Sequence, residues 1–362
     1  MNVADERRDY DDAYTTRFTG VPLELGAHAG RAAVRLRETW FYPESGGQLG
    51  DHGTLGAARV LDVQAGDDGR VWHVVDAPPG DQSLDAAIDW GRRFDHMQQH
   101  TGQHVLSAAF EHVLDAATLS SSLGEEHSVI ELGMSGIDWR TARDVEERAN
   151  AVLWEDRAIR LHWTDAAGVK AFALRKPPAV AGRIRIVEIP DWDLSACGGT
   201  HTRRTGEVGV VKIVGWEKVR GNVRVSFLCG ARALRDHAWR TEALLESARR
   251  RTLKDRDLIA HLERAAEERD ELAKKLRELG AAALASEARA RVGDPPAGVA
   301  ELAPERSRED VRAFALACLT AGAPWVVSAA LGPEPGLVLG RARALPGDLR
   351  TLVPALLETS GG

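Results

Sequence analysis

The pattern of apolar and polar positions changes period along the chain. From residue 14 to about 91, short segments alternate or carry β-branched residues, as in Ala32–Leu36, Ala58–Val63 and Val71–Val75. Turn-formers separate them: Gly46-Gly47, Gly66 through Gly69, and Pro78-Pro79-Gly80. Short alternating runs cut by such residues read as strands, and their spacing predicts a small barrel. From Phe94 to Leu114 the period becomes helical, with Val105, Leu106, Ala109, Phe110, Val113 and Leu114 on the apolar positions and Asp95 as the N-cap. A second helix is expected from Thr141 to about Trp154, where Asp144, Glu146 and Glu147 near its start suit the helix dipole. Arg183–Pro190, Gly209–Val214 and Asn222–Leu228 read as strands, so the middle of the chain joins helices to an antiparallel sheet.

Beyond Asp236 the period lengthens again. Leu258, Leu262, Ala265, Leu272, Leu276, Leu279 and Ala283 recur at alternating spacings of three and four, with Arg269 on the same seam. Such a seam predicts a long amphipathic helix that pairs with another helix. Arg251 and Asp255 interrupt it near its start, which favours a local hairpin or homodimer contact over an extended coiled coil. Gly293 to Gly298 punctuates the chain, and helix-like Asp310–Thr320 with strand-like Trp325–Ala329 and Gly336–Leu339 make a small α/β unit. The expected organisation is α+β: a β-barrel over 1–91, an α/β domain with an antiparallel sheet over 92–235, a helical segment over 236–292, and an α/β unit over 293–362.

Composition narrows the class. The chain has 362 residues and ordinary apolar and charged fractions, enough for two or three domains with real cores. No apolar run is long enough to span a membrane, and the acidic N-terminus lacks a signal peptide's apolar core, so the expected compartment is the cytosol. Three cysteines, Cys197, Cys229 and Cys318, are too few and too widely spaced for a disulfide framework. A formal charge of −7 argues against broad nonspecific binding to nucleic acid. Locally the balance reverses: Arg203, Arg204, Lys212, Lys218, Arg220, Arg224, Arg232 and Arg235 face only Glu207 and Glu217 over the same stretch. That segment is either a solvated face with ordinary ion pairs or a patch for a phosphate backbone.

The candidate chemistry lies in two short motifs. His96, His100 and His104 stand at successive i, i+4 positions, one turn apart on a helix, which suits two of them to a common metal ion. HxxxH is weak by itself in a chain with 12 His. Far downstream, Cys197-Gly198-Gly199-Thr200-His201 places a Cys and a His around two glycines that allow a tight turn. One Cys with three His is a borderline-soft nitrogen and sulfur set, which favours zinc over magnesium or calcium.

HTGQH followed by SACGGTH, and then TGEVGVVKIVGWEKVRGNVRVSFLCGARAL, resembles the editing domain of alanyl-tRNA synthetases and of freestanding alanyl-tRNA editing proteins. Phe41–Asp51, FYPESGGQLGD, is similar to the glycine-rich motif of the barrel that precedes that domain. The matching features run from about residue 15 to 235, and the remainder resembles the family's C-terminal region. Only about fourteen residues precede the barrel, so the likeness is to the longer freestanding proteins. The resemblance implies that His100, His104, Cys197 and His201 bind zinc, and that serine or glycine wrongly attached to alanine tRNA is hydrolysed off. Gly46, Gly47, Gln48, Ser120 and Ser122 would then bind substrate, and Arg203, Arg204, Lys218, Arg220 and Arg224 would bind tRNA. Two departures stand out. Gln103 occupies a position where many synthetase relatives have Thr, and the serines of 119–124 replace an aromatic residue and a His. The terminal Gly361-Gly362 falls where the family's glycine-rich C-terminal motif would begin, so a shortened C-terminal domain is expected.

An ester is activated, so hydrolysis needs a positioned water and charge stabilisation more than a strong nucleophile. GxSxG is absent and no Ser-His-Asp arrangement is apparent. Zinc could acidify water or polarise the carbonyl, but four protein ligands would close a tetrahedral ion. Gln103 and His96 are therefore candidates for orienting water or the substrate amine. Ser120, Ser122 and Gln103 could hydrogen-bond a serine hydroxyl, and close backbone at Gly46-Gly47 could exclude a methyl group. The competing readings are editing of threonine tRNA, a zinc-stabilised RNA-binding or dimerisation module without catalysis, and a general metallohydrolase.

Overall fold

A computed structural model describes residues 7–66, 68–177, 182–330 and 335–349. The chain forms two compact units, Met1–Ala243 and Leu244–Gly362. Gly361-Gly362 lie outside the described residues.

The first unit opens with seven antiparallel strands: β1 (Arg17–Gly20), β2 (Pro22–His28), β3 (Arg31–Leu36), β4 (Gly53–Leu55), β5 (Ala58–Ala65), β6 (Val71–Val75) and β7 (Leu84–Ile88). They form one sheet in the order β1-β7-β4-β5-β6-β3-β2. β1 and β2 lie at opposite edges of the sheet, yet only Val21 separates them in sequence. Such a short link forces the sheet to curl until its edges approach at one corner. No ladder joins those edges, so the predicted barrel is a curled, open sheet. Its core holds Val34, Leu36, Phe41, Leu55, Val60 and Val63. The inward phase on β5 shifts from Val60 to Val63 because a bulge between Val60 and Asp62 adds one residue to the ladder.

Helix α1 (Trp90–Leu114) follows directly. Its N-cap is Asp89, whose side chain accepts from the Arg92 N–H, and not Asp95 as expected. Asp95 instead pairs with the buried Arg232. The helix therefore begins a turn earlier than its apolar period suggests. Next come β8 (Thr118–Leu123), β9 (Ser128–Leu132), α2 (Trp139–Trp154), β10 (Arg160–Thr164), β11 (Ile184–Ile189), β12 (Asp193–Ala196), β13 (Val211–Val219), β14 (Asn222–Cys229) and α3 (Gly230–Arg249). β13-β14-β9-β8 form one antiparallel sheet and β10-β11-β12 another. α1 and α2 pack on the four-stranded sheet through Val105, Phe110, Val145 and Val152 against Ile130 and Phe227.

Buried Arg93 fastens α1 to the curled sheet. Its guanidinium pairs with Asp51 and donates to the Ala13 and Trp40 carbonyls.

In the second unit, α4 (Leu258–Val292) leads to β15 (Val299–Ala303), α5 (Arg308–Thr320), β16 (Trp325–Ala330) and β17 (Gly336–Arg341). β15 and β16 are parallel, with α5 as the crossover, and β17 adds antiparallel. Ala288 and Val292 of α4 enter a core with Phe314, Cys318 and Val326. Between α3 and α4 the chain leaves helical geometry, with Thr252 at φ 55°. The expected single helix from 236 is thus broken where Arg251 and Asp255 interrupt the seam. Leu262, Leu272, Leu276 and Leu279 are exposed. No helix among the described residues is long and apolar enough to cross a membrane.

Candidate metal centre

α1 is buried from His96 through Phe110, so His100 and His104 project into the protein from consecutive turns. The second pair arrives from β12. The Cys197 N–H donates to the Arg185 carbonyl at 3.0 Å, and the chain then turns so that His201 returns toward α1. One ligand atom from each of His100, His104, Cys197 and His201 lies within 4.8 Å of the others. Cys197 Sγ is 3.3 Å from Nε2 of both His100 and His201. A tetrahedral zinc with bonds of about 2.0–2.3 Å needs its ligand atoms about 3.3–3.8 Å apart, so the group fits with little movement.

The other ring nitrogens are occupied. Nδ1 of His104 donates to Asp193 Oδ2 at 2.7 Å, and Nδ1 of His100 to Gln48 Oε1 at 2.7 Å. Nδ1 of His201 lies 3.4 Å from the Thr101 hydroxyl. The contacts with the Asp193 carboxylate and the Gln48 amide oxygen fix the tautomers of His104 and His100 and leave their Nε2 free for a metal. Burial would raise the Asp193 carboxyl, but His104 and Arg175 hold it down to about 2. Burial would likewise raise the Cys197 thiol, but His100 and His201 hold it well below the usual range. The donor set, its convergence and the held imidazoles of His100 and His104 suit zinc.

Asp193 was not singled out in the sequence. Its signal is the alternation of Asp193 and Ser195 on β12 with Cys197 just beyond its end, which puts an acid on the same face as the thiol. Gly199 is required by space and not by conformation: a Cβ there would lie 2.0 Å from His100 Cε1, while φ stays in the ordinary range. Arg185 is buried beneath this loop, donating to the carbonyls of Tyr10, Cys197 and Gly199.

A cavity of about 310 Å³ opens onto His100, His104 and Cys197. Gln103, Gly46 and Ser120 line it; Gly47, Gln48, Ser122 and His96 do not. Gln48 is fully buried, its amide bridging His100 and Thr200, so it supports a ligand from behind. Gly47, at φ 84°, packs against the β8 backbone, where a Cβ would meet the Ser121 carbonyl at 2.7 Å. Gln103 donates to Ser107 Oγ. His96 is buried with Nδ1 unpartnered among the described residues, and burial beside Arg92 and Arg232 lowers it to about 4. Ser121, one of the serines of 119–124, and Thr118, which the sequence did not flag, also line the cavity, and the Thr118 hydroxyl is buried without a partner among the described residues.

The basic stretch is largely neutralised. Arg203 lies near Asp12, Arg204 pairs with Asp156, Lys212 with Glu146, and Arg224 with Glu217 and Glu131. Arg232 is buried against Asp95. Lys218 and Arg220, at the β13–β14 turn, have no ion pair among the described residues.

Comparison with known proteins bears on this arrangement. Residues 184–225 match the model of the threonyl and alanyl tRNA synthetase second additional domain. The chain is 31% identical to the alanyl-tRNA editing protein AlaX-L of Pyrococcus horikoshii over 240 residues, covering 63% of this chain and 59% of the relative. It is 34% identical to the alanyl-tRNA editing protein Aarsd1 of Danio rerio over 206 residues, 56% of this chain and 50% of the relative. The alanine–tRNA ligase of Methanopyrus kandleri is 34% identical over 250 residues, 65% of this chain but 27% of that enzyme. The chain thus spans well under two thirds of the length of these relatives. They bear out the resemblance to alanyl-tRNA editing proteins that the motifs carry.

Proposed function

We propose that this protein is a trans-editing deacylase, hydrolysing the ester that joins serine or glycine to alanine tRNA, with one zinc ion held by His100, His104, Cys197 and His201. The convergence of these four side chains, from segments about a hundred residues apart, with His100, His104 and Cys197 lining a cavity, carries the reading. A metal bound there would supply a Lewis acid that polarises the ester carbonyl or acidifies a water. The protein's own groups do the rest. Asp193, Gln48 and Thr101 hold the imidazoles, and Gln103 faces the cavity where a water or the substrate amine would be oriented. Ser120 and the Thr118 hydroxyl, which has no partner among the described residues, offer hydrogen bonds to a serine side chain. Alanine would leave those groups unpaired, which disfavours it. Glycine would need exclusion of a methyl group instead, for which Gly46 lies at the cavity wall. Lys218 and Arg220 are the cations of the basic stretch most available to a tRNA backbone, a cytosolic partner, and the exposed leucines of α4 supply a surface for a homodimer.

The test is release of serine, glycine and alanine from charged alanine tRNA, with zinc content measured on the same samples. Serine or glycine should be released by the wild type, and Cys197→Ala should lose both zinc and activity. Equal hydrolysis by the two proteins would overturn the zinc-dependent mechanism. Loss of folding on zinc removal, with no deacylation by the loaded protein, would mark a zinc-stabilised module instead. Release from threonine tRNA alone would redirect the assignment.

A further inference from the structure

Although the protein is acidic overall, no Asp or Glu among the described residues lines the cavity, whereas Arg175 and Lys176 do. The two cations differ. Arg175 is mostly buried and its charge is matched, Nε donating to Asp193 Oδ1 at 2.6 Å and Nη2 to Ser195 Oγ at 3.3 Å. Lys176 is exposed and has no carboxylate partner among the described residues. Its Nζ donates to the Leu119 carbonyl at 2.8 Å. That contact reaches from the β10–β11 connection to β8, on the serine-bearing wall of the cavity. A lysine ammonium has three donors, so this contact leaves two free and the charge uncompensated.

We infer that Lys176 is the anchor for a phosphate of the substrate, the phosphodiester just 5′ of the aminoacylated nucleotide. This rests on reading the cavity as the seat of a charged tRNA end. A cavity of about 310 Å³ lies at the lower limit for small-molecule sites, so it takes a terminal nucleoside with its amino acid and leaves the next phosphate at the rim. Lys176 stands at that rim, as a point charge for phosphate, with its ammonium held by the Leu119 carbonyl. The residue fixes where the ester lies without touching the reacting atoms, so it is a positioning residue.

The experiment compares wild type, Lys176→Gln and Lys176→Arg on three serine esters: of adenosine, which has no phosphate, of a CCA trinucleotide, and of full alanine tRNA. Binding of an uncharged, fluorescent CCA-ended oligonucleotide is measured in parallel, with zinc content as a check on folding. Lys176→Gln should raise KM about tenfold on the two phosphate-bearing esters, leave the adenosine ester unchanged, weaken oligonucleotide binding and reduce the salt slope by roughly 0.7. Lys176→Arg should restore most of the loss. An equal loss on the adenosine ester, or no change on any substrate with unchanged binding, would overturn the assignment. If the wild type hydrolyses none of the esters, the deacylase reading fails. The phosphate site then stands or falls on whether oligonucleotide binding depends on Lys176.

Discussion

Gly199 and Gln48 bring the question down to single atoms. Any side chain at 199 would occupy the space of the His100 ring, so Gly199→Ala should displace that imidazole and leave a protein that folds but retains well under one zinc per chain, read by elemental analysis after dialysis. Asp193→Asn keeps the shape yet removes the charge behind His104, and zinc affinity should fall about 10–100-fold in chelator competition. Unchanged affinity would mean that Asp193 serves only the fold. His73 makes a separate residue-scale prediction. It is buried, Nδ1 donating to the Val34 carbonyl and Nε2 accepting from Thr39, and burial lowers it from 6.5 to about 4. The unfolded state binds the extra proton first, so the stabilisation is complete above pH 6.5 and is lost as pH falls toward 4. The loss is on the order of 3 kcal/mol. Urea unfolding should show it as a difference between wild type and His73→Gln that shrinks across that window. A constant difference would exclude it.

Among the elements, α1 has two duties, because it carries the histidines and is fastened to the curled sheet through Arg93. Removing one partner of a buried ion pair leaves the other uncompensated, and Arg93→Met should destabilise the first unit by about 3–5 kcal/mol in denaturant unfolding. A cost below about 1 kcal/mol would mean that the sheet and α1 are held by apolar packing alone. α4 poses the opposite case, a helix whose Leu262, Leu272, Leu276 and Leu279 are exposed among the described residues. If they serve a homodimer, Leu272→Glu with Leu276→Glu should convert a dimer to a monomer in sedimentation velocity. A monomeric wild type at micromolar concentration would remove that role. The helical period of α4 was plain in the sequence. So was its interruption, since a charged residue on an apolar seam is visible without a structure. Strands β8, β9 and β12 were not legible. They are short and serine- or acid-bearing, so the alternation that β9 and β12 show in burial is too brief and too polar to stand out without their neighbours in the ladder.

On the scale of the whole molecule, the four ligand candidates and the cavity all lie within Met1–Ala243. The sequence by itself determined the residue types, the helical spacing of His100 and His104, and the family likeness, because these depend on local order along the chain. It also showed a positive segment, but formal charge cannot tell a free cation from a paired one. Only the tertiary structure decided that Arg203, Arg204 and Arg224 have acidic neighbours, that Gln48 and Asp193 stand behind the imidazoles, and that His96 is buried away from the cavity. Apart from the Arg224–Glu217 pair across one hairpin, those outcomes depend on contacts between segments tens to more than a hundred residues apart. Such contacts are set by how the sheets and α1 pack, and no spacing within a motif encodes them.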